Sequence, residues 1–220
     1  RADLVARSRA SSDFTVFDGR LEGLAGLPDL ATSPSPISAT ALETYASCPH
    51  AYLMGKMFRV EPLEEPEALV TISAMEIGNL IHASIDELVE ELGESLPGHG
   101  EPWTDAHAER LVQIARRRGA EMEASGLTGH PRLWAQERAR VEVDLRAMLD
   151  DDSARRAQRS ARIVASEMPF GMRGRDPLEL PVAGGRVLLR GSADKVDVGS
   201  DGTIYVTDIK TGGSSSFADI

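Results

Sequence analysis

From Ser73 to Leu92 the apolar residues Ile77, Leu80, Ile81, Ile85, Leu88, Val89 and Leu92 recur at three- and four-residue spacing. That period places them on one stripe of a helix, and Ser73 with Glu76 has the spacing of a capping box at its start. A preceding helix is predicted to open at Ser38 to Thr40, with Thr40 and Glu43 as its capping pair, and to run through Leu42, Tyr45, Tyr52 and Leu53. Pro49 should kink or interrupt it, because proline has no amide hydrogen to give the helix. Two more helices are expected over 104–124 and 131–150, the second turning Trp134, Val141, Leu145, Met148 and Leu149 inward. From about residue 161 the pattern changes to strands at 163–165, 186–198 and 203–209, with Gly199-Ser200-Asp201-Gly202 as the hairpin turn between the last two. Residues 1–36 are rich in Ser, Gly and Pro, with Phe14 and Phe17 as large anchors, and are expected to form an extended arm. Helices first and a mixed, largely antiparallel sheet later give an α+β fold, or an α/β/α layer arrangement.

Composition adds limits. At 220 residues with 41% hydrophobic positions the chain can bury a core of domain size. Its apolar runs are too short for a membrane span and its start lacks the plan of a signal peptide, so a cytoplasmic location is expected. Because it begins at Arg1, it is expected to be a piece of a longer protein. Cys48 is the chain's one cysteine, so no internal disulfide framework is possible. The net charge of −11 argues against a chain that grips nucleic acid unaided, since lysine and arginine supply most non-specific affinity for phosphates. Much of the acid falls in runs at 61–67, 86–94 and 150–152, which read as solvated faces and loops. Arg116, Arg117 and Arg118, and the arginines of 155–162, read either as solvated helix faces or as contacts to a DNA backbone.

The hairpin carries the chemistry. Folding the strands about Gly199 to Gly202 sets Asp194 opposite Thr207 or Asp208, so Asp194 and Asp208 become neighbours. Asp208 and Lys210, two residues apart in the predicted strand, share a face. Two carboxylates with one amine form a site suited to magnesium or manganese. The plain alternative is a surface hairpin with an exposed ion pair, which contributes little. Flanking Ile204, Val206 and Ile209 favour the site, since they place the acid at the end of an apolar strand. His82 lies at the edge of the apolar stripe of its helix, where a packed histidine is the plain reading. Gly78, one turn earlier, costs the helix about 1 kcal/mol relative to alanine and implies close approach of another backbone or a ligand.

Four segments in order, Ser38 to Pro49, Gly78 to His82, Gly191 to Asp197 and Asp208 to Gly212, resemble the RecB/AddB-type nuclease domain of the PD-(D/E)XK superfamily, an α/β/α restriction-endonuclease-like fold. The resemblance covers about residues 37–213 and extends more softly to AdnB-like and UvrD-like chains. It implies a nuclease domain over 37–220, its helical part at 37–155 and its sheet with the active site at 160–213, incomplete at the C-terminus, following an arm from a helicase-like region. It further implies that His82, Asp194, Asp208 and the Ile209 carbonyl ligate magnesium or manganese. Asp194, Asp208 and Lys210 would be catalytic, Lys210 orienting the attacking water and stabilising charge on the phosphate. Glu167 matches a glutamate of the preceding strand, read as a supporting group behind the ligands, with a solvent-facing strand position as the alternative. Cys48 occupies the position of an iron-sulfur ligand in some members and of a packed cysteine in others; a cluster cannot be built by this chain alone.

Implied partners are DNA, as single strands or duplex ends, the helicase region and a second helicase-nuclease subunit, acting in double-strand break repair and recombination. The rival from another class is a non-catalytic DNA-binding or scaffolding module of the same fold. A stand-alone nuclease of the CRISPR adaptation type is a third option, disfavoured by the long helices at 104–150.

Overall fold

The computed structural model describes residues 2–13, 15, 29–60 and 70–211. Phe14, Phe17, the acidic run at 61–67 and Gly212 lie outside them. The chain starts with helix α1 (Ala2–Arg9) where an extended arm was expected. The stretch contains no glycine or proline, and Arg7 meets Asp3 one turn back at 2.7 Å, the pairing that favours a helix.

A two-residue strand, β1 (Ile37–Ser38), leads directly into α2 (Ala39–Ser47). The cap of α2 is Ser38, whose hydroxyl accepts from the Ala41 amide at 3.2 Å, so the helix opens before the expected Thr40 and Glu43 pair. β1 pairing sets the start: Ile37 and Ser38 are held parallel to Leu189 and Arg190. At Pro49 the helix is interrupted, as predicted. Cys48 is extended, with φ −158°, and Pro49 opens α3 (Pro49–Tyr52), which runs into a π-helical turn over Leu53–Met57.

α4 (Ala74–Leu92) is capped by Ser73, which accepts from the Glu76 amide at 3.1 Å, and buries Leu80, Ile81, Ile85, Leu88 and Val89. α5 (Asp105–Ala124) begins with a reciprocal cap between Thr104 and His107. α6 (Pro131–Arg159) packs on α5, where a Cβ on Gly119 would lie 2.9 Å from Trp134 Cζ2. Glycine there lets the buried indole reach the facing helix. α6 runs nine residues beyond the predicted end. Asp151 and Asp152, read as a solvated acidic run, pair one turn on with Arg155 and Arg156 and so extend the helix.

The sheet is mixed and has five strands built on β4 (Gly185–Gly199). β2 (Ala161–Phe170) and β5 (Ile204–Thr207) lie antiparallel to its second half. β1 and β3 (Leu178–Val182) pair with its first half. β3 is absent from the sequence reading because it contains Pro181 and is exposed throughout, so no core-facing alternation marks it. The hairpin turn forms as predicted, with Asp201 accepting from the Thr203 amide at 2.9 Å.

The helices α4, α5 and α6 enclose the main core with Ile163 of β2 and with Ile209. A charged group inside this layer ties α6 to the sheet. Lys195 of β4, 7% exposed, donates to Asp152 of α6 and, at 2.6 Å, to Asp197. Asp152 also accepts from the Trp103 indole at 2.7 Å and from Arg156 at 2.8 Å. Burial alone would raise the Asp152 carboxyl, but Lys195, with Arg156 and Trp103, outweighs it and lowers the pKa. Asp197 is raised, chiefly by burial.

The arginines of α5 bind the helices to one another. Arg116 meets Glu142, while Arg117 and Arg118 share Glu87. No helix among the described residues is long and apolar enough to cross a membrane.

Lys195→Met should destabilise the fold by about 3–5 kcal/mol, since it leaves the buried Asp197 carboxylate without its cation; denaturant unfolding measures this. Arg116 holds the Glu142 carboxyl below its usual range. A lowered folded pKa gives stability that is complete above the unfolded carboxylate value and is lost as pH falls through the folded one. Unfolding at pH 7 and pH 3 should therefore show a smaller acid loss in Arg116→Ala than in the wild type.

Candidate active site

Three elements converge along β4. α4 supplies His82, β2 supplies Glu167 and β4 supplies Asp194, and one ligand atom of each lies within 4.8 Å of the others. His82 Nδ1 is 3.0 Å from Glu167 Oε1, and His82 Nε2 is 2.9 Å from the Ile209 carbonyl oxygen. The Ile209 amide donates to Asp194 Oδ2 at 2.6 Å. The backbone of Ile209 thus closes the fourth side with both its polar groups.

The reason lies in where β5 stops. Its ladder with β4 ends at the pair Lys195 and Thr207, and that register sets Asp208 across from Asp194. Beyond Thr207 the chain leaves the ladder, and the Asp194 side chain takes the Ile209 amide in place of a strand carbonyl. Thr211 then passes over α4: a Cβ on Gly78 would meet its hydroxyl oxygen at 3.1 Å. This is the close approach that glycine inside a helix implied, made by the segment that carries Asp208 and Lys210.

The predicted residues separate into two groups. His82 and Asp194 stand in the cluster. Glu167, expected behind the ligands, is inside it and half-buried. Asp208, expected among the ligands, is turned to Lys210, its carboxylate 2.9 Å from Nζ, and the two side chains are 63% and 53% exposed. They form the rim. Cys48 lies apart on the surface, its Sγ accepting from the Ala51 amide at 3.4 Å as the cap of α3.

Glu167 has φ +43°, an uncommon conformation for a residue with a side chain, which costs of order 1–3 kcal/mol. Its neighbours Ser166 and Met168 keep register with Lys195 and Ala193, so the strain is local to Glu167 itself. No feature of a single sequence marks such a residue.

The charges are unbalanced toward acid. Burial raises the Asp194 carboxyl, and Asp208 and Glu167 add to the rise against the Ile209 amide and His82. Burial pulls His82 down, but Glu167, the Ile209 carbonyl and Asp194 outweigh it, so the imidazole is raised. Two carboxylates, a carbonyl and an imidazole, crowded so that Asp194 resists ionisation, are a donor set that fits a hard divalent cation.

The sequence profile of the PD-(D/E)XK nuclease superfamily covers residues 36–219, and the chain belongs to that superfamily. Among curated proteins it is similar to an ATP-dependent helicase/deoxyribonuclease subunit from Symbiobacterium thermophilum, 34% identical over 80% of this chain. A protein of the same name from Moorella thermoacetica is 28% identical over 78% of it. The chain spans 15% of the length of each of these relatives.

At a left-handed position the usual order of glycine and alanine in a strand reverses. Glu167→Gly should therefore be about 1 kcal/mol more stable than Glu167→Ala, measured by thermal or denaturant unfolding of the two variants side by side.

Proposed function

We propose that this chain is the nuclease domain of a helicase-nuclease, hydrolysing DNA phosphodiester bonds with magnesium or manganese. The observation that carries this reading is the convergence of His82, Glu167 and Asp194 on the Ile209 backbone, with Asp208 and Lys210 at the rim. The ion's donors would be Asp194, Glu167, the Ile209 carbonyl and one nitrogen of His82. When bound, it supplies Lewis-acid polarisation of a phosphodiester and a lowered pKa for water. The chain's own groups supply the rest. Lys210, exposed and pKa-raised chiefly by its hydrogen bond to Asp208, stays cationic and can steady charge that develops on a phosphate oxygen. Asp208 holds that ammonium in place. The Ile209 amide fixes the orientation of Asp194, so that one carboxylate oxygen is committed to the backbone and the other is left to the site.

The names of the similar proteins support DNA as the substrate and a helicase-containing assembly as the setting. In that setting residues 37–220 form the nuclease domain, residues 1–36 lead from an upstream region, and the role is processing of double-strand breaks in the cytoplasm.

Magnesium or manganese titrated into the chain with end-labelled DNA should give cleavage that falls at least 100-fold in Asp194→Asn and in Lys210→Ala. Calorimetric binding of the ion should be lost in Asp194→Asn and retained in Lys210→Ala. Absence of cleavage by the wild type, with DNA still bound, would replace this reading with the non-catalytic module.

A further inference from the structure

Gly78 is the fifth residue of α4, inside a helix that alanine in its place would favour. Gly119 of α5, likewise inside a helix, makes room for the buried Trp134 indole, and that packing offsets its cost. Nothing comparable stands at Gly78. Beyond its own helix, and among the described residues, a Cβ there would meet only the Thr211 hydroxyl oxygen, at 3.1 Å. Thr211 is exposed and forms no hydrogen bond among the described residues. Neither burial nor hydrogen bonding at Thr211 therefore accounts for the glycine.

The segment to which Thr211 belongs does account for it. Beyond β5 the chain runs through Asp208, Ile209 and Lys210 to Thr211, and it touches α4 at two places one turn apart. At the first, the Ile209 carbonyl oxygen lies 2.9 Å from His82 Nε2. At the second, Thr211 lies over Gly78. One turn of helix from 82 back to 78 spans about 6 Å, and two residues of chain from 209 to 211 span at most about 7 Å. The segment thus follows the helix toward its start with little slack, and Lys210 sits between the two contacts. Ile209 packs inward against the main core, whereas the Lys210 side chain is exposed and meets Asp208 at 2.9 Å. The Ile209 end is fixed twice, by His82 and by the Asp194 carboxylate that accepts its amide at 2.6 Å. On the other side of Lys210 the seat on Gly78 is what locates the chain against α4.

We propose that Gly78 is a positioning residue: its missing side chain lets Thr211 rest on α4, and that seat sets where the Lys210 ammonium stands relative to His82, Glu167 and Asp194. The inference rests on the nuclease reading and goes beyond it by giving a task to a residue with no functional group of its own. A methyl group at 78 would force Thr211 away by a few tenths of an ångström. Threonine is branched at Cβ and stiff at χ1, so relief falls on the backbone that carries Lys210. A group that steadies charge on a phosphate loses its effect steeply with displacement.

The test compares Gly78→Ala, Thr211→Ala and the two combined, by magnesium-dependent cleavage of end-labelled DNA, calorimetric ion binding, thermal unfolding and crystal structure. Gly78→Ala should unfold no more easily than the wild type, since alanine favours the helix, and should bind the ion as tightly. Its kcat should nonetheless fall on the order of tenfold with KM unchanged, as for a group that acts in the transition state. Thr211→Ala alone should cleave like the wild type. Combined with Gly78→Ala it should restore most of the lost rate, because the oxygen that the new methyl group meets is gone. The crystal structure of Gly78→Ala should show Thr211 and Lys210 displaced while Ile209 keeps its place. Full kcat in Gly78→Ala, or a loss that Thr211→Ala leaves unrelieved, would overturn the proposal, as would a loss of stability or ion binding that matches the loss of rate. A wild type that cleaves nothing with magnesium or manganese would remove the nuclease reading and leave the seat to stand or fall by the displacement of Lys210.

Discussion

The alternation of side chains along β4 is the constraint on which the site depends. Asp194 and Lys195 are consecutive, so they must face opposite sides of the strand. Lys195 is fixed between Asp197 and Asp152 of α6, and Asp194 is thereby directed away from that group, toward His82 and Glu167. A slip of one residue would bury the acid and expose the amine. The buried ion group makes that slip costly, because each charge removed from its partner would stand in an apolar interior. Structural and functional charges in β4 are therefore one device, with the core lysine setting the direction of the site carboxylate.

The remaining residues of the cluster follow from this fixed point. The end of the β5 ladder leaves the Ile209 amide for Asp194 and the Ile209 carbonyl for His82. Glu167 reaches the same place at the cost of a left-handed backbone. Thr211 crosses α4 at the one position without a side chain. Strain at Glu167 and excess negative charge around Asp194 meet at this one cluster.

Much of this was legible in the sequence where a pattern repeats. The stripe from Ile77 to Leu92 gave α4 and the place of His82, and the turn at Gly199 to Gly202 gave the hairpin that brings Asp194 and Asp208 near each other. The α+β fold followed from the order of helices and strands, and the superfamily from the resemblance of four segments, Ser38 to Pro49, Gly78 to His82, Gly191 to Asp197 and Asp208 to Gly212. What was not legible depends on contacts between distant residues. α6 continues past 150 because its acids meet arginines one turn on. Arg116, Arg117 and Arg118, which as a run could have faced DNA, are held by glutamates from two other helices. β3 is an exposed strand without a core face. Glu167 entered the cluster through a backbone conformation that no residue type signals, while Asp208 turned outward to Lys210 once the strand had ended.

A crystal of the chain soaked with manganese and measured for anomalous scattering tests the central claim most directly. The account predicts one strong peak bounded by His82, Glu167, Asp194 and the Ile209 carbonyl. A peak at Asp208 and Lys210 alone, or no peak in the presence of saturating manganese, would contradict it.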